Sequence, residues 1–382
     1  MNTLLSTNNY DLLREIEISK DHIASQPIPV ELQPYKDWLL RVFENLERQV
    51  GDNFHWLSLN DDDILPQVYG QVRSITNSLR VLNSKFLAPL YRYNRFDNLC
   101  LKLLKWLHDQ HSQSQNCAFA VSHGEFAINS LRQHNVLLYS LPSSSRQDIF
   151  HLPLFFHEFG HNLYACHSSE MEALSRAVQM KLQDQLGTPF QENNAKYQKD
   201  LERSSAIIET WYSWVEELFC DAVGLCIGGA SFLHTFSLYL RTDGNAAFYR
   251  PEEKLAMSSH PVSWLRVKFL AQRAKTLGLE KEAEALESDW KNLAKLLGER
   301  ENYHGYYRES YNPFIMAALD DMLIEASPIN FADFDRSVDT FSPEQHNFIE
   351  LTNWAWRTYF KDQKHYKQAE LQVVEFYNNT LQ

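Results

Sequence analysis

The chain has 382 residues, of which 44% are hydrophobic and 22% charged, a composition that fits a folded globular protein and argues against disorder. Its formal net charge of −13 disfavours nucleic acid as the main partner, because phosphate binding needs a basic surface. The five cysteines are odd in number and include no CxxC pair, so no disulfide framework is expected, and a reducing, cytoplasmic setting fits better.

Residues 1 to about 115 read as helical. Leu39, Val42, Phe43 and Leu46 recur at helical spacing, as do Leu101, Leu104 and Leu107, with breaks at Pro27-Ile28-Pro29, at Asn60 to Asp63 and near Pro89. The opening residues lack the basic-then-apolar layout of a signal peptide. Residues 117–121 (CAFAV) and 136–140 (VLLYS) are short, apolar and flanked by polar residues, and are the best strand candidates. Ser143-Ser144-Ser145 marks a loop into an apolar helix, with Pro153 in its first turn.

The next helix is expected from Ser169, with Glu172 three residues on as a capping box, to about Gly187. After the loop GTPFQENN, a long helix covers roughly 195–227. Residues 222–240 contain no Asp, Glu, Lys or Arg, and are read as a buried helix running into a second segment, with a break near Gly228-Gly229. Beyond the loop RTDGNAAFYRPEE come helices near 261–277 and 280–297. From about 300 the chain reads as mostly helical, with turns at Ser327-Pro328 and Ser342-Pro343.

The chemistry concentrates in LPLFFHEFGHNLY. On a helix His157 and His161 lie one turn apart on one face, so their imidazoles can converge on a tetrahedral metal. Glu158 projects beside them, where it can take a proton from an attacking water without being a ligand. The bland alternative is a pair of core histidines bonded to backbone.

A third ligand is sought in SWVEELFCDAVG, where Glu217 and Asp221 share a helix face. Glu217 would bind the metal and Asp221 would accept the N–H of a ligating histidine. The surrounding Trp214, Val215, Leu218, Phe219, Ala222 and Val223 mean that these acids must be paired or metal-bound. Glu216, about 100° round the helix, is the neighbouring alternative.

HEFGH followed by E-x-x-x-D on a later helix resembles the gluzincin pattern of zinc metallopeptidases. His260-Pro261 with Arg266, in SSHPVSWLRV, looks like the S-H-P-x-x-x-x-R element of the HtpX and CAAX prenyl protease type, and the 55 residues between His161 and Glu217 suit that type better than thermolysin-like enzymes. The resemblance covers about 117–270. It implies a zinc site of His157, His161 and Glu217, Glu158 as general base, and His260 and Arg266 as candidate oxyanion stabilisers. The expected fold is α+β, mainly α with a small sheet: the resemblance implies a zincin-like core (116–278), and the helical flanks (1–115 and 279–382), read from periodicity, lie outside it. The CAFAV segment would be the edge strand that holds a peptide.

The expected activity is hydrolysis of protein or peptide substrates, by an endopeptidase rather than an exopeptidase. Those relatives carry transmembrane helices, and this chain shows no convincing one. Tyr303, His304, Tyr306 and Tyr307 in ENYHGYY are further candidate donors to an oxyanion. Two alternatives stand beside this reading. One is a non-catalytic, partner-binding protein on the same fold. The other is a di-iron carboxylate protein, built from Glu158-x-x-His161, Glu301-x-x-His304 and Glu217.

Overall fold

Apolar residues at helical spacing dominate this sequence, and the computed structural model, which describes residues 2–59, 61–131, 134–187, 195–242, 247–256 and 258–379, is accordingly mainly α-helical with one small β-sheet. Helices α1 (Asn2–Ser25), α2 (Gln33–Ser58), α3 (Leu65–Val81), α4 (Ala88–Tyr91) and α5 (Asn98–Asp109) precede strands β1 (Ala118–His123), β2 (Ala127–Leu131) and β3 (Val136–Leu141). There follow α6 (Leu154–Cys166), α7 (Ser168–Leu186), α8 (Ala195–Gly228), α9 (Ala230–Thr242), α10 (Glu252–Leu255), α11 (Ser263–Thr276), α12 (Glu280–Leu297), α13 (Asn312–Ala326), α14 (Phe348–Lys361) and α15 (Gln363–Asn379). The chain divides into two compact units, one of Met1–Lys105, Asn116–Gln147 and Glu375–Gln382, the other of Trp106–Gln115 and Asp148–Val374.

In the first unit, Leu12, Ile16 and Ile23 of α1, Leu39, Phe43 and Val50 of α2, and Val72, Ile75 and Leu79 of α3 form one buried stripe per helix. Asn53 Nδ2 donates to Asn9 Oδ1 across α1 and α2 at 2.8 Å, a side-chain amide bond inside that interface. The sheet has the order β1-β3-β2: β1 runs parallel to β3 with Ala118 opposite Val136, and β2 runs antiparallel to it with Ala127 opposite Ser140. β1 packs on α2 and α4. β2 escapes a hydrophobicity pattern because it is AINSL, with half-buried and exposed residues; pairing with β3 makes it a strand. β1 is an edge strand of this sheet, as expected, but the sheet groups with the N-terminal helices, whereas the sequence reading put it in one segment with HEFGH.

The second unit centres on α8. α6, α7, α11 and α13 all pack on it, α6 most extensively. That close approach needs Gly160, because a Cβ there would lie 2.8 Å from the Cα of Cys220 on α8. α8 ends as expected at Gly228, and Gly229 turns the chain with φ of 58°. Asn353 on α14 satisfies the break: its Nδ2 donates to the Gly228 carbonyl at 3.1 Å and its Oδ1 accepts the Ser231 N–H at 3.0 Å.

The capping box expected at Ser169 does not form. α7 starts at Ser168, directly after His167, and has no side-chain cap, because α6 runs on to Cys166 and leaves one residue for the junction. Pro153 sits at the N-cap of α6 rather than within its first turn. Most of GTPFQENN, and part of RTDGNAAFYRPEE, lie outside the described residues. Among the described residues no helix is long and apolar enough to cross a membrane.

Candidate metal centre

α6 presents His157 and His161 toward α8, which presents Glu216, Glu217 and Asp221. His157 Nε2 lies 3.5 Å from one Glu217 oxygen and His161 Nε2 lies 3.5 Å from the other. One donor atom from each of the three residues lies within 4.8 Å of the other two, and the group could hold a metal ion. The spacing fits zinc: two ligands at about 2.0–2.1 Å in a tetrahedron stand about 3.3 Å apart. His157 and Glu217 are buried and His161 is half-buried, so the group is enclosed with one side toward solvent.

The outward nitrogens are held as well. His157 Nδ1 lies 2.9 Å from Asp221 Oδ1, and His161 Nδ1 lies 3.0 Å from Glu216 Oε1. Each contact leaves Nε2 as the nitrogen facing the group. The first joins the residues between which an N–H donation was expected, as a close ion-pair approach without hydrogen-bond geometry. The second was missed: Glu216, weighed only as an alternative ligand, orients the second histidine because its 100° offset carries it to the outer side of His161. Phe236 of α9 stacks on the His157 ring at 5.7 Å and 29°, a packing contact that no motif announces.

Arg266 of α11 is buried. It grips Asp221 with Nε (2.8 Å) and Nη2 (2.6 Å), and Nη2 also lies 3.1 Å from Glu217. Its guanidinium further covers the Phe236 ring at 4.7 Å. Burial raises the Asp221 carboxyl, but Arg266 and then His157 outweigh it, and the group ends below its ordinary range. Glu217 is likewise pushed up by burial and drawn further down by His157 and Arg266. Burial disfavours a charged His157, but Asp221 and Glu217 together carry it well above the ordinary imidazole range.

Glu158 is buried, and among the described residues it has no hydrogen-bond or ion-pair partner. Burial raises its carboxyl above the ordinary value, partly offset by His157 and His161. His260, in the loop before α11, is half-exposed. Its Nε2 lies 3.3 Å from Glu217 Oε1, and the Ser259 hydroxyl lies 2.8 Å from its Nδ1. Burial holds its imidazole below the usual value, more than Glu217 raises it.

The structure therefore brings together His157, Glu158, His161, Glu217, Asp221, His260 and Arg266. It leaves ENYHGYY elsewhere: Tyr303 donates to Glu301 (3.2 Å), Tyr307 donates to Glu309 (3.0 Å), and the Tyr306 carbonyl accepts from Trp211 (2.6 Å). Glu301 also pairs with Lys268, and neither it nor His304 belongs to a group among the described residues that could hold a metal. A second such group joins His167 and Glu170, at the α6–α7 junction, to Glu325 of α13, with both carboxylates exposed. No protein-family model, no curated protein and no solved structure matches this chain.

Proposed function

We propose that this protein is a zinc-dependent metallopeptidase. One observation carries the reading: two imidazole Nε2 atoms converge on one carboxylate, and a buried, unpartnered Glu158 stands beside them. A site that only held a structural ion would have no use for that second carboxyl, whose burial cost nothing nearby offsets by a hydrogen bond.

Zinc, when bound, supplies Lewis acidity that acidifies water and polarises a carbonyl. The remaining work falls to the chain. Glu158 accepts the proton of the attacking water and hands it to the leaving amine, and a carboxyl that burial raises above its ordinary value suits both transfers. His260 is half-exposed and faces the group, so it is the donor placed to meet an oxyanion. Arg266 has a different part in this reading: with Nε and Nη2 on Asp221 and Nη2 also beside Glu217, it positions the ligand carboxylate.

Hydrolysis of peptide bonds in particular rests on the gluzincin resemblance, and a cytoplasmic setting on the cysteine count. The test is hydrolysis of a mixed peptide library together with zinc content. Glu158→Gln should keep one zinc per chain and lose hydrolysis, while His161→Ala should lose the metal. Full peptidase activity in Glu158→Gln would overturn the mechanism, and two irons per chain would overturn the metal assignment.

A further inference from the structure

Away from the metal centre, α9, α12, α14 and Phe150 enclose a cavity of about 320 Å3. That is the lower end of the range of ligand pockets, about 300–1,000 Å3, and suits one small molecule rather than a peptide. The helical repeats build it. Glu282 and Asp289 stand two turns apart along one face of α12, and Trp356 and Phe360 one turn apart on α14. On α9 the pocket takes His234, Ser237 and Arg241, the face turned away from Phe236, which packs on His157.

The floor is apolar. Leu233 and Trp356 are buried, and Phe150 stacks on Trp356 at 4.2 Å. The rim carries both signs of charge. Arg241 lines it from α9 and Glu282 and Asp289 from α12, and no ion pair joins any of the three to a partner among the described residues. Arg241 spends only Nε, on the Ser237 carbonyl at 3.1 Å. His234 packs against the rings of Trp356 (5.1 Å) and Phe360 (5.0 Å), and it too lacks a hydrogen-bond partner among the described residues. An apolar floor beneath separated, unpaired charges of opposite sign is complementary to a small molecule that carries both charges on an apolar body.

We propose that this pocket binds a free α-amino acid with an apolar side chain. Arg241 receives its carboxylate, Glu282 and Asp289 receive its ammonium, and the side chain lies on Trp356 and Leu233. The inference does not depend on the metal reading, because its readout is binding.

Calorimetric titration of the full-length protein with L-phenylalanine and L-leucine tests it, alongside the one-charge analogues 2-phenylethylamine and 3-phenylpropanoate. At least one amino acid should bind saturably, and each analogue should bind at least about tenfold more weakly than phenylalanine. Arg241→Gln, an exposed position whose change should leave the melting curve intact, should weaken amino-acid binding about tenfold or more and leave phenylethylamine unaffected. Absence of saturable binding by both amino acids at millimolar concentration overturns the proposal. So does equal binding of either analogue, which would make the pocket a site for a simple cation or a simple anion.

Discussion

Glu216 Oε1 lies 3.0 Å from His161 Nδ1, and so each histidine of the metal group is backed by its own carboxylate from α8. Such contacts fix the tautomer and the ring plane of a ligand and raise its basicity. Glu216→Ala should therefore lower zinc affinity about 10–100-fold while leaving the fold intact, since the side chain is part-exposed. Competition against a chromophoric chelator measures it; unchanged affinity would remove Glu216 from the site.

Arg266 and Asp221 form a buried pair with two bonds, 2.8 and 2.6 Å long. Removing one member leaves the other charge uncompensated, at a cost of about 3–5 kcal/mol. Arg266→Met should accordingly lower the denaturation midpoint sharply. Asp221→Asn together with Arg266→Met should cost less than the two single changes added, because they share one interaction. Additivity would show that the pair is not coupled. Arg266→Lys should not restore the wild-type midpoint, because an ammonium cannot reproduce the two-point grip.

Gly160 lets α6 approach α8 at Cys220. In Gly160→Ala the new methyl would meet the Cys220 Cα at 2.8 Å, so one helix must move. The expected outcome is a loss of at least about 1–3 kcal/mol, with weaker zinc binding because the ligands span those two helices. Cys220→Ala should not rescue it, since the obstructing atom is backbone. A Gly160→Ala protein with wild-type stability and zinc content would show that the two helices need not pack this closely.

His111 is buried with both nitrogens used: Nδ1 lies 2.8 Å from the Leu107 carbonyl, and Nε2 accepts the Ile329 N–H at 3.2 Å. This requires the neutral ring with its proton on Nδ1. Burial lowers the imidazole value below 6.5, with the Leu107 bond pulling the other way. As pH falls below about 6.5 the unfolded chain takes up this proton before the folded one does, so the stabilisation is whole above that point and declines beneath it. The denaturation midpoint should fall more steeply between pH 7 and pH 5 in the wild type than in His111→Gln. Parallel pH profiles would show that the ring does not titrate this way.

How much of this was legible in the residues can be judged element by element. Helical periodicity placed α12 at 280–297 and the end of α8 at Gly228, because a buried stripe at the α-helical period is a local property of the sequence. The pairing of β2 is not local: AINSL becomes a strand only through β3, so no pattern in it announced one.

The metal centre divides along the same line. The sequence by itself determined that His157 and His161 share a face, that Glu217 and Asp221 share another, and that Glu158 stands beside the first pair, because spacing on one helix fixes direction. Only the tertiary structure decided that Glu217 faces the imidazoles while Glu216 backs one of them, and that Arg266 is buried against the carboxylates rather than open to a substrate. Those choices depend on how α6, α8 and α11 pack, down to a contact at Gly160 that no spacing within a single helix encodes.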